Sequence, residues 1–383
     1  MSGVELFLIA VVVMTALAFD FTNGFHDTAN AMATSIATGA LKPKVAVAIS
    51  GVLNLVGAFL SISVAATIAN GIVDQGLVTP AIVFAGLMGA ICWNLITWLL
   101  GLPSSSSHAL IGGVAGAALV AGGTDAVKFG GILSKVVLPA LVAPLLALAA
   151  AALATWVAYK LTARANPVRS DRMFKRGQVA SASLVSLAHG TNDAQKTMGV
   201  ITLALVSGGL LPAGADPPLW VVISAGVAIA AGTYFGGWRI IRTLGKGLTD
   251  ISTPQGFSAE TTASAVILVS SHFGFPLSTT HVCSGGIVGS GLGRKLAEVR
   301  WGLAGRIAVG WVITLPAAAG VGALVTLAAH GLGDTLGILV MAVVLVVFVG
   351  VIYALSRRNP VNSTNVNDRP LPVVPIADVK AVA

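Results

Sequence analysis

The chain has 383 residues, of which 56% are hydrophobic and only 9% charged, against roughly a quarter charged in a soluble globule. That balance excludes a soluble domain, and the net charge of +8 does not imply nucleic acid. The basic residues sit in short loops and the C-terminal tail, where the positive-inside rule places them in a membrane protein. Apolar runs near 20 residues recur from end to end, long enough to span a bilayer.

The first run lacks a basic segment ahead of it, so it reads as a membrane helix rather than a cleaved signal peptide. From Val4 to about Ala40 it would be about 55 Å long as one helix, against a hydrocarbon core of roughly 30 Å. It is therefore expected to be long and tilted, or broken near Asn23-Gly24. Lys42 and Lys44 follow, on the cytoplasmic side. Val45–Asn70 crosses back to a loop, 71–79, without Lys or Arg. Two apolar pieces, 80–101 and 106–121, hinge on a Pro-Ser turn and read as a hairpin with its tip in the membrane. Segment 130–159 then leads to the most basic loop, with six basic residues and one acidic between Lys160 and Arg176.

The second half repeats the plan. Val179–Ser207 and Leu219–Ile241 are crossings, 257–292 is a second hairpin, and 301–328 and 335–355 cross again. Three crossings and one hairpin per half require the second half to be inverted relative to the first. The expected fold is all-α and polytopic, with two inverted repeats, each carrying a broken helix and a re-entrant helical hairpin, a pattern of secondary transporters. The expected boundaries are 1–160 for the first repeat, 161–178 for a basic cytoplasmic loop and 179–328 for the second repeat. An extra transmembrane helix occupies 329–356, and 357–383 reads as a disordered tail.

Two turns organise the chain. Pro103-Ser104-Ser105-Ser106-Ser107-His108 leads to Gly112-Gly113, and Pro276-Leu277-Ser278-Thr279-Thr280-His281 leads to Gly285-Gly286, with Pro, Ser, His and Gly at the same offsets. Proline and serine suit a helix start, and a helix start attracts anions through free N–H groups and the dipole. The hydroxyls of Ser104–Ser107, Ser278, Thr279 and Thr280 can donate to phosphate or sulfate oxygens. The glycines permit close helix approach. The alternative, a pair of ordinary serine-rich turns, fits the duplication less well.

Asp27 and Asp193 lie in apolar runs at matching places, Gly24-x-x-Asp27 and Gly190-x-x-Asp193. A carboxylate at the bilayer centre costs about 2.5–3.5 kcal/mol or more. With oxygens from Asn23, Thr28, Asn30, Thr191, Asn192 and Gln195, the pair suits a hard cation such as Na⁺, or a proton. The alternative is a structural polar network. Lys196, three residues after Asp193, either pairs with it or faces the anion. His26, His108, His189 and His281 can carry protons. His26 is the best placed, beside Asp27, whereas His108 and His281 equally read as struts. Asp20 has no clear role, Trp93 reads as packing, and Asn54 and Asn94 are weak site candidates. Cys92 and Cys283 read as buried apolar residues rather than a disulfide or metal pair. Paired carboxylates with paired helix starts suit a cation-coupled oxyanion symporter. No Walker motif points to ATP. The symmetric hydroxyls argue against an intramembrane Ser-His enzyme, and a passive anion channel is the remaining alternative.

Asn23-Gly-Phe-His-Asp-Thr-Ala-Asn30 and His189-Gly-Thr-Asn-Asp-Ala-Gln-Lys196, with the two Pro-hydroxyl-His turns, resemble the duplicated signatures of the inorganic phosphate transporter (PiT) family over about residues 4–355. The resemblance implies electrochemically driven phosphate uptake into the cell across its membrane, and a homodimer. It also implies that the aspartates, Lys196 and the hairpin hydroxyls form the phosphate and cation sites, with no cofactor. Many sodium-coupled members read Gly-x-Asn-Asp in both signatures. Here His26 takes the first Asn position, and Lys196 stands where the first signature keeps Asn30. Similar bacterial low-affinity members take up phosphate with protons, often as a neutral complex with a divalent metal, so the resemblance favours H⁺ over Na⁺. The family also contains sulfate permeases.

Overall fold

Hydrocarbon offers the backbone no hydrogen-bond partner, so a chain this apolar must satisfy its peptide groups within helices. The computed structural model describes residues 2–294 and 298–368 and is nearly all helix. In the first half run α1 (Gly3–Ala37), α2 (Pro43–Gly57), α3 (Ser63–Gly71), α4 (Pro80–Leu99), α5 (Ser106–Gly122), α6 (Phe129–Ile132) and α7 (Leu138–Thr162). The second half holds α8 (Pro167–Ser207), α9 (Leu219–Phe235), α10 (Trp238–Arg242), α11 (Thr253–His272), α12 (Thr279–Leu292), α13 (Trp301–Leu332) and α14 (Asp334–Ser356). A π-turn joins α6 to α7 as one span, Phe129–Thr162. Among the described residues, five helices are long and apolar enough to cross a bilayer, and α9 with the helix after it makes a sixth, bent span.

Of the two forms expected for the first run, the long one holds: α1 runs unbroken through Asn23-Gly24. Gly24 serves another end: a Cβ there would lie 2.3 Å from the Ile229 carbonyl oxygen, so glycine lets α1 and α9 touch backbone to backbone. The interruptions fall in the next helix of each half. One separates α2 from α3 over 58–62, and the other bends the chain by 59° between α9 and α10. Gly236, at φ +76°, turns the second of these.

The basic stretch 161–178, expected as a loop, is mostly helical. Its turn is confined to 163–166, and α8 starts at Pro167, where the Asn166 side chain accepts from the N–H groups of Val168 and Arg169. The tail also differs from expectation at its start. Residues 357–368 fold back in turns, held by Arg239 donating to the carbonyls of Ser356 and Asn359 and Arg242 donating to that of Asn365. Residues 295–297 and tail residues 369–383 lie outside the described residues.

The halves interlock. α1 packs on α9 and α2 on α8, while the α4–α5 pair packs on α13 and the α11–α12 pair on α7. Glycine makes the matching contacts possible: a Cβ on Gly112 of α5 would meet the Leu315 carbonyl of α13 at 2.3 Å, and one on Gly285 of α12 the Pro144 carbonyl of α7 at 2.5 Å. Phe19, Phe84, Leu87, Leu110 and Ile111 fill the interior, while Leu145, Val312, Leu324 and Val346 face outward, as lipid contact requires.

Overpacking a tight contact costs about 1–3 kcal/mol. Gly24→Ala is therefore expected to lower the unfolding temperature of the detergent-purified protein. Gly320→Ala, where nothing lies within 4 Å, is expected to leave it unchanged. Differential scanning fluorimetry on the pair checks both.

Candidate functional site

The two Pro-hydroxyl-His turns start α5 and α12, and one serine of each caps its helix. Ser105 Oγ accepts from the His108 N–H at 3.1 Å, and Ser278 Oγ accepts from the His281 N–H at 3.2 Å. Far apart in sequence, the turns touch in space. Ser107 Oγ donates to the Leu277 carbonyl at 3.1 Å, and the rings of His108 and His281 meet edge-on with centroids 4.8 Å apart. His281 also stacks on Trp311. These two histidines brace the turns against each other and have no contact with the aspartates.

Asp27 and Asp193 are buried beside the turns. His26 Nδ1 lies 2.6 Å from Asp27 Oδ1, and its Nε2 reaches Thr97 Oγ1 at 3.2 Å and Ser104 Oγ at 3.4 Å. From the other turn, Thr280 donates to Asp27 Oδ1 at 3.4 Å and Thr279 donates to Asp193 Oδ2 at 3.3 Å. Asn30 donates to both of those hydroxyls, at 3.3 and 3.0 Å.

The Lys196 ammonium pairs with Asp193 and donates to Ser107 Oγ at 2.5 Å and the Leu277 carbonyl at 2.9 Å. It thus ties one carboxylate to both turns. His189 Nε2 stands 3.1 Å from Asp193 Oδ2, with its Nδ1 3.2 Å from Asn54 Oδ1. One ligand atom each from Asp27, His189 and Asp193 lie within 4.8 Å of one another. Two carboxylates and an imidazole suit a divalent cation, although the Lys196 ammonium already pairs with Asp193.

The capping bonds use lone pairs of Ser105 and Ser278, so both hydroxyl protons remain free to donate. Ser106 Oγ is buried without a partner. Together with the first-turn N–H groups and Lys196, these hydroxyls make the meeting of the turns buried and rich in hydrogen-bond donors.

Several forecast oxygens are engaged elsewhere. Thr28 and Thr191 donate to carbonyls of their own helices, those of Gly24 and Leu187. Gln195 Oε1 accepts from the Val64 and Ala65 N–H groups and so caps α3. Asn192 donates to Ser271 Oγ and the Phe275 carbonyl, anchoring the second turn rather than facing Asp193. Trp93 packs and donates to Thr314. Asn23 and Asn94 are buried with no partner for either side-chain polar atom.

Sequence reasoning missed Glu260 on α11. Its buried carboxylate accepts from Thr34 and Ser35 of α1 and from Ser181 of α8, each at 2.5 Å, and from Gln178 of α8 at 3.4 Å. The signal was present, since an ionisable residue inside the apolar run 257–292 is costly on its own. Search by duplication passed over it, because the first hairpin has no counterpart. Glu260→Gln leaves at least one donor without an acceptor, which costs about 1–3 kcal/mol. The variant is expected to unfold at a lower temperature in a thermal melt of the purified protein. An unchanged melt would remove Glu260 from the ties between α1, α8 and α11.

A family profile described as "Phosphate transporter family" matches residues 23–322. The chain is 60% identical over 366 residues to a Mycobacterium bovis protein named "Probable low-affinity inorganic phosphate transporter", covering 95% of this chain and 88% of that one. A Bacillus subtilis protein of the same name is 43% identical over 321 residues, covering 83% and 96%. Among solved structures, one titled "The sodium-dependent phosphate transporter" superposes with a TM-score of 0.75 at 25% identity, over 83% of this chain and 98% of that one. The interlocked helices, the paired turns over buried aspartates and these likenesses agree: this chain is a multi-pass membrane protein, a transporter rather than an enzyme, and it belongs to the phosphate transporter family.

Proposed function

We propose that the protein imports inorganic phosphate across the cell membrane by symport with a cation, H⁺ rather than Na⁺. The observation that carries this reading is the meeting of two capped helix starts, one from each half, over Asp27, Asp193 and Lys196. Free hydroxyl protons on Ser105, Ser106 and Ser278, helix-start N–H groups and one ammonium bind the anion. Ser104, Ser107, Thr279 and Thr280 relay that geometry to the carboxylates. The His26–Asp27 pair, at 2.6 Å, carries the proton. Lys196 already provides a positive charge at Asp193, which speaks against a second Na⁺ there. The solved neighbour's title names sodium dependence, and the substitution of His26 in the first signature is where this chain departs from a sodium site.

The reciprocal packing supports reading the halves as inverted repeats whose hairpins enter the membrane from opposite sides. Parting one hairpin from the other would then expose the pocket to one side at a time. A second form of the cargo, phosphate already bound to a divalent metal, is favoured by the clustered ligand atoms of Asp27, His189 and Asp193.

Uptake of radiolabelled phosphate into proteoliposomes tests this. Concentrative uptake is expected under an inward H⁺ gradient and not under an inward Na⁺ gradient, with excess sulfate failing to compete. Asp27→Asn is expected to abolish it. Removing two hydrogen bonds to a charged ligand, at about 1.5–3 kcal/mol each, should raise the half-saturating phosphate concentration of a Ser105→Ala/Ser278→Ala protein at least about tenfold. Equilibration without concentration would mean a channel, and strong competition by sulfate would mean a sulfate permease.

A further inference from the structure

The phosphate transporter profile ends at residue 322, so α14 and the segment after it lie beyond the part of the chain that the family shares. That segment turns back onto α10. The Arg239 guanidinium of α10 donates to the Ser356 carbonyl at 2.9 Å and the Asn359 carbonyl at 2.6 Å. One helical turn on, Arg242 donates to the Asn365 carbonyl at 3.0 Å. Val366, next in the chain, is 2% exposed and belongs to the apolar cluster that holds Ile240, Ile241 and Leu244. The segment is also tied to itself. The Asn362 N–H donates to Asn365 Oδ1 at 2.8 Å, and Asn365 Nδ2 donates to the Pro360 carbonyl at 3.1 Å. A buried valine and two committed arginines distinguish it from a solvated tail.

What the segment holds is the base of the first hairpin. Arg239 donates also to the Leu99 carbonyl at 3.2 Å, where α4 ends, and lies over the Trp98 ring, 5.7 Å from its centroid. Thr243, which follows α10, donates to the Gly101 carbonyl at 2.7 Å. These bonds join the first hairpin to the second half of the chain. The same place adjoins the pocket. Gly237 leaves no room for a Cβ against the Phe25 carbonyl, and the Phe25 ring meets Trp98 edge-on at 5.2 Å. Thr97 bonds His26 and Ser104. For the hairpin to leave α10, its bonds to Arg239 and Thr243 must break, and the tail keeps the guanidinium from following.

We propose that residues 357–366 form an autoinhibitory strap that holds the first hairpin closed on α10, and that its release opens this end of the pocket. The strap adds contacts to the closed arrangement, so its loss shifts the balance toward the open one. Its effect on uptake rests on the symport reading; its hold on the hairpin does not.

Hydrogen exchange of the purified full-length protein, read by mass spectrometry, tests the hold. In wild type the amides of 357–366 and of 99–105 are expected to exchange slowly. Val366→Asp, which puts a carboxylate in the buried site, and Arg242→Gln, which removes the donor to Asn365, should each speed exchange in both segments about fivefold or more, the size of one hydrogen bond. Exchange in α8 should stay unchanged. Arg242→Gln decides the matter if Val366→Asp fails to fold by gel filtration. Fast exchange of 357–366 in wild type overturns the strap, as does a freed strap with 99–105 still protected. In proteoliposomes the maximal rate of phosphate uptake should rise about fivefold in the same variants. An unchanged or slower rate with the hairpin freed overturns the inhibitory role. Slow exchange at both segments in a wild type that takes up no phosphate would sink the transport reading and support the strap's hold.

Discussion

An ammonium group with no water around it must find its full complement of acceptors in the protein, and Lys196 finds them on three different elements. Asp193 on its own helix, the Ser107 hydroxyl at the start of α5 and the Leu277 carbonyl just before α12 surround it. Breaking a buried ion pair by removing one partner typically costs about 3–5 kcal/mol, so this charge reinforces the direct contacts between the two turns. The turns cannot separate without Lys196 losing at least one of its three partners.

The second constraint is steric. The pocket needs two helix starts from distant parts of the chain brought tip to tip, and bulky helices could not approach closely enough. Glycine at Gly24, Gly112 and Gly285 lets backbones of opposite halves come into direct contact, as is general where no hydrophobic effect presses helices together within lipid. Polar chemistry at the centre and apolar packing at the periphery are therefore coupled. The same interdigitation that buries Asp27 and Asp193 also brings Glu260 onto α1 and α8.

Much of this was legible in the sequence because hydrocarbon makes the rules strict. Apolar runs near 20 residues, buried aspartates and a duplicated Pro-hydroxyl-His turn each have a physical cost that marks them out. Gly24 left two forms of the first run open, a long helix or a broken one, since sequence alone does not distinguish a glycine that breaks a helix from one that marks a close approach. The basic stretch after Lys160 was read from charge, which reports the side of the membrane but not the backbone, and residues 167–178 are helical. Glutamines and asparagines were harder still. Gln195 and Asn192 stand beside Asp193 in sequence, yet along a helix neighbours point different ways. One caps α3 and the other anchors the second turn.

The crossing of the halves also bears on how the chain is made. The glycine face of α5 is covered by α13, near Leu315, and residues there leave the ribosome long after α5 has been synthesised. Until then the first hairpin, with its four serines and His108, has neither its apolar cover nor Lys196 nor the opposing turn. Only part of its polar tip, Ser104 with Thr97 and His26 and Ser105 with the His108 N–H, has partners within the first half. Assembly of this protein is consequently late and nonlocal: the pocket comes into being only when the C-terminal helices arrive.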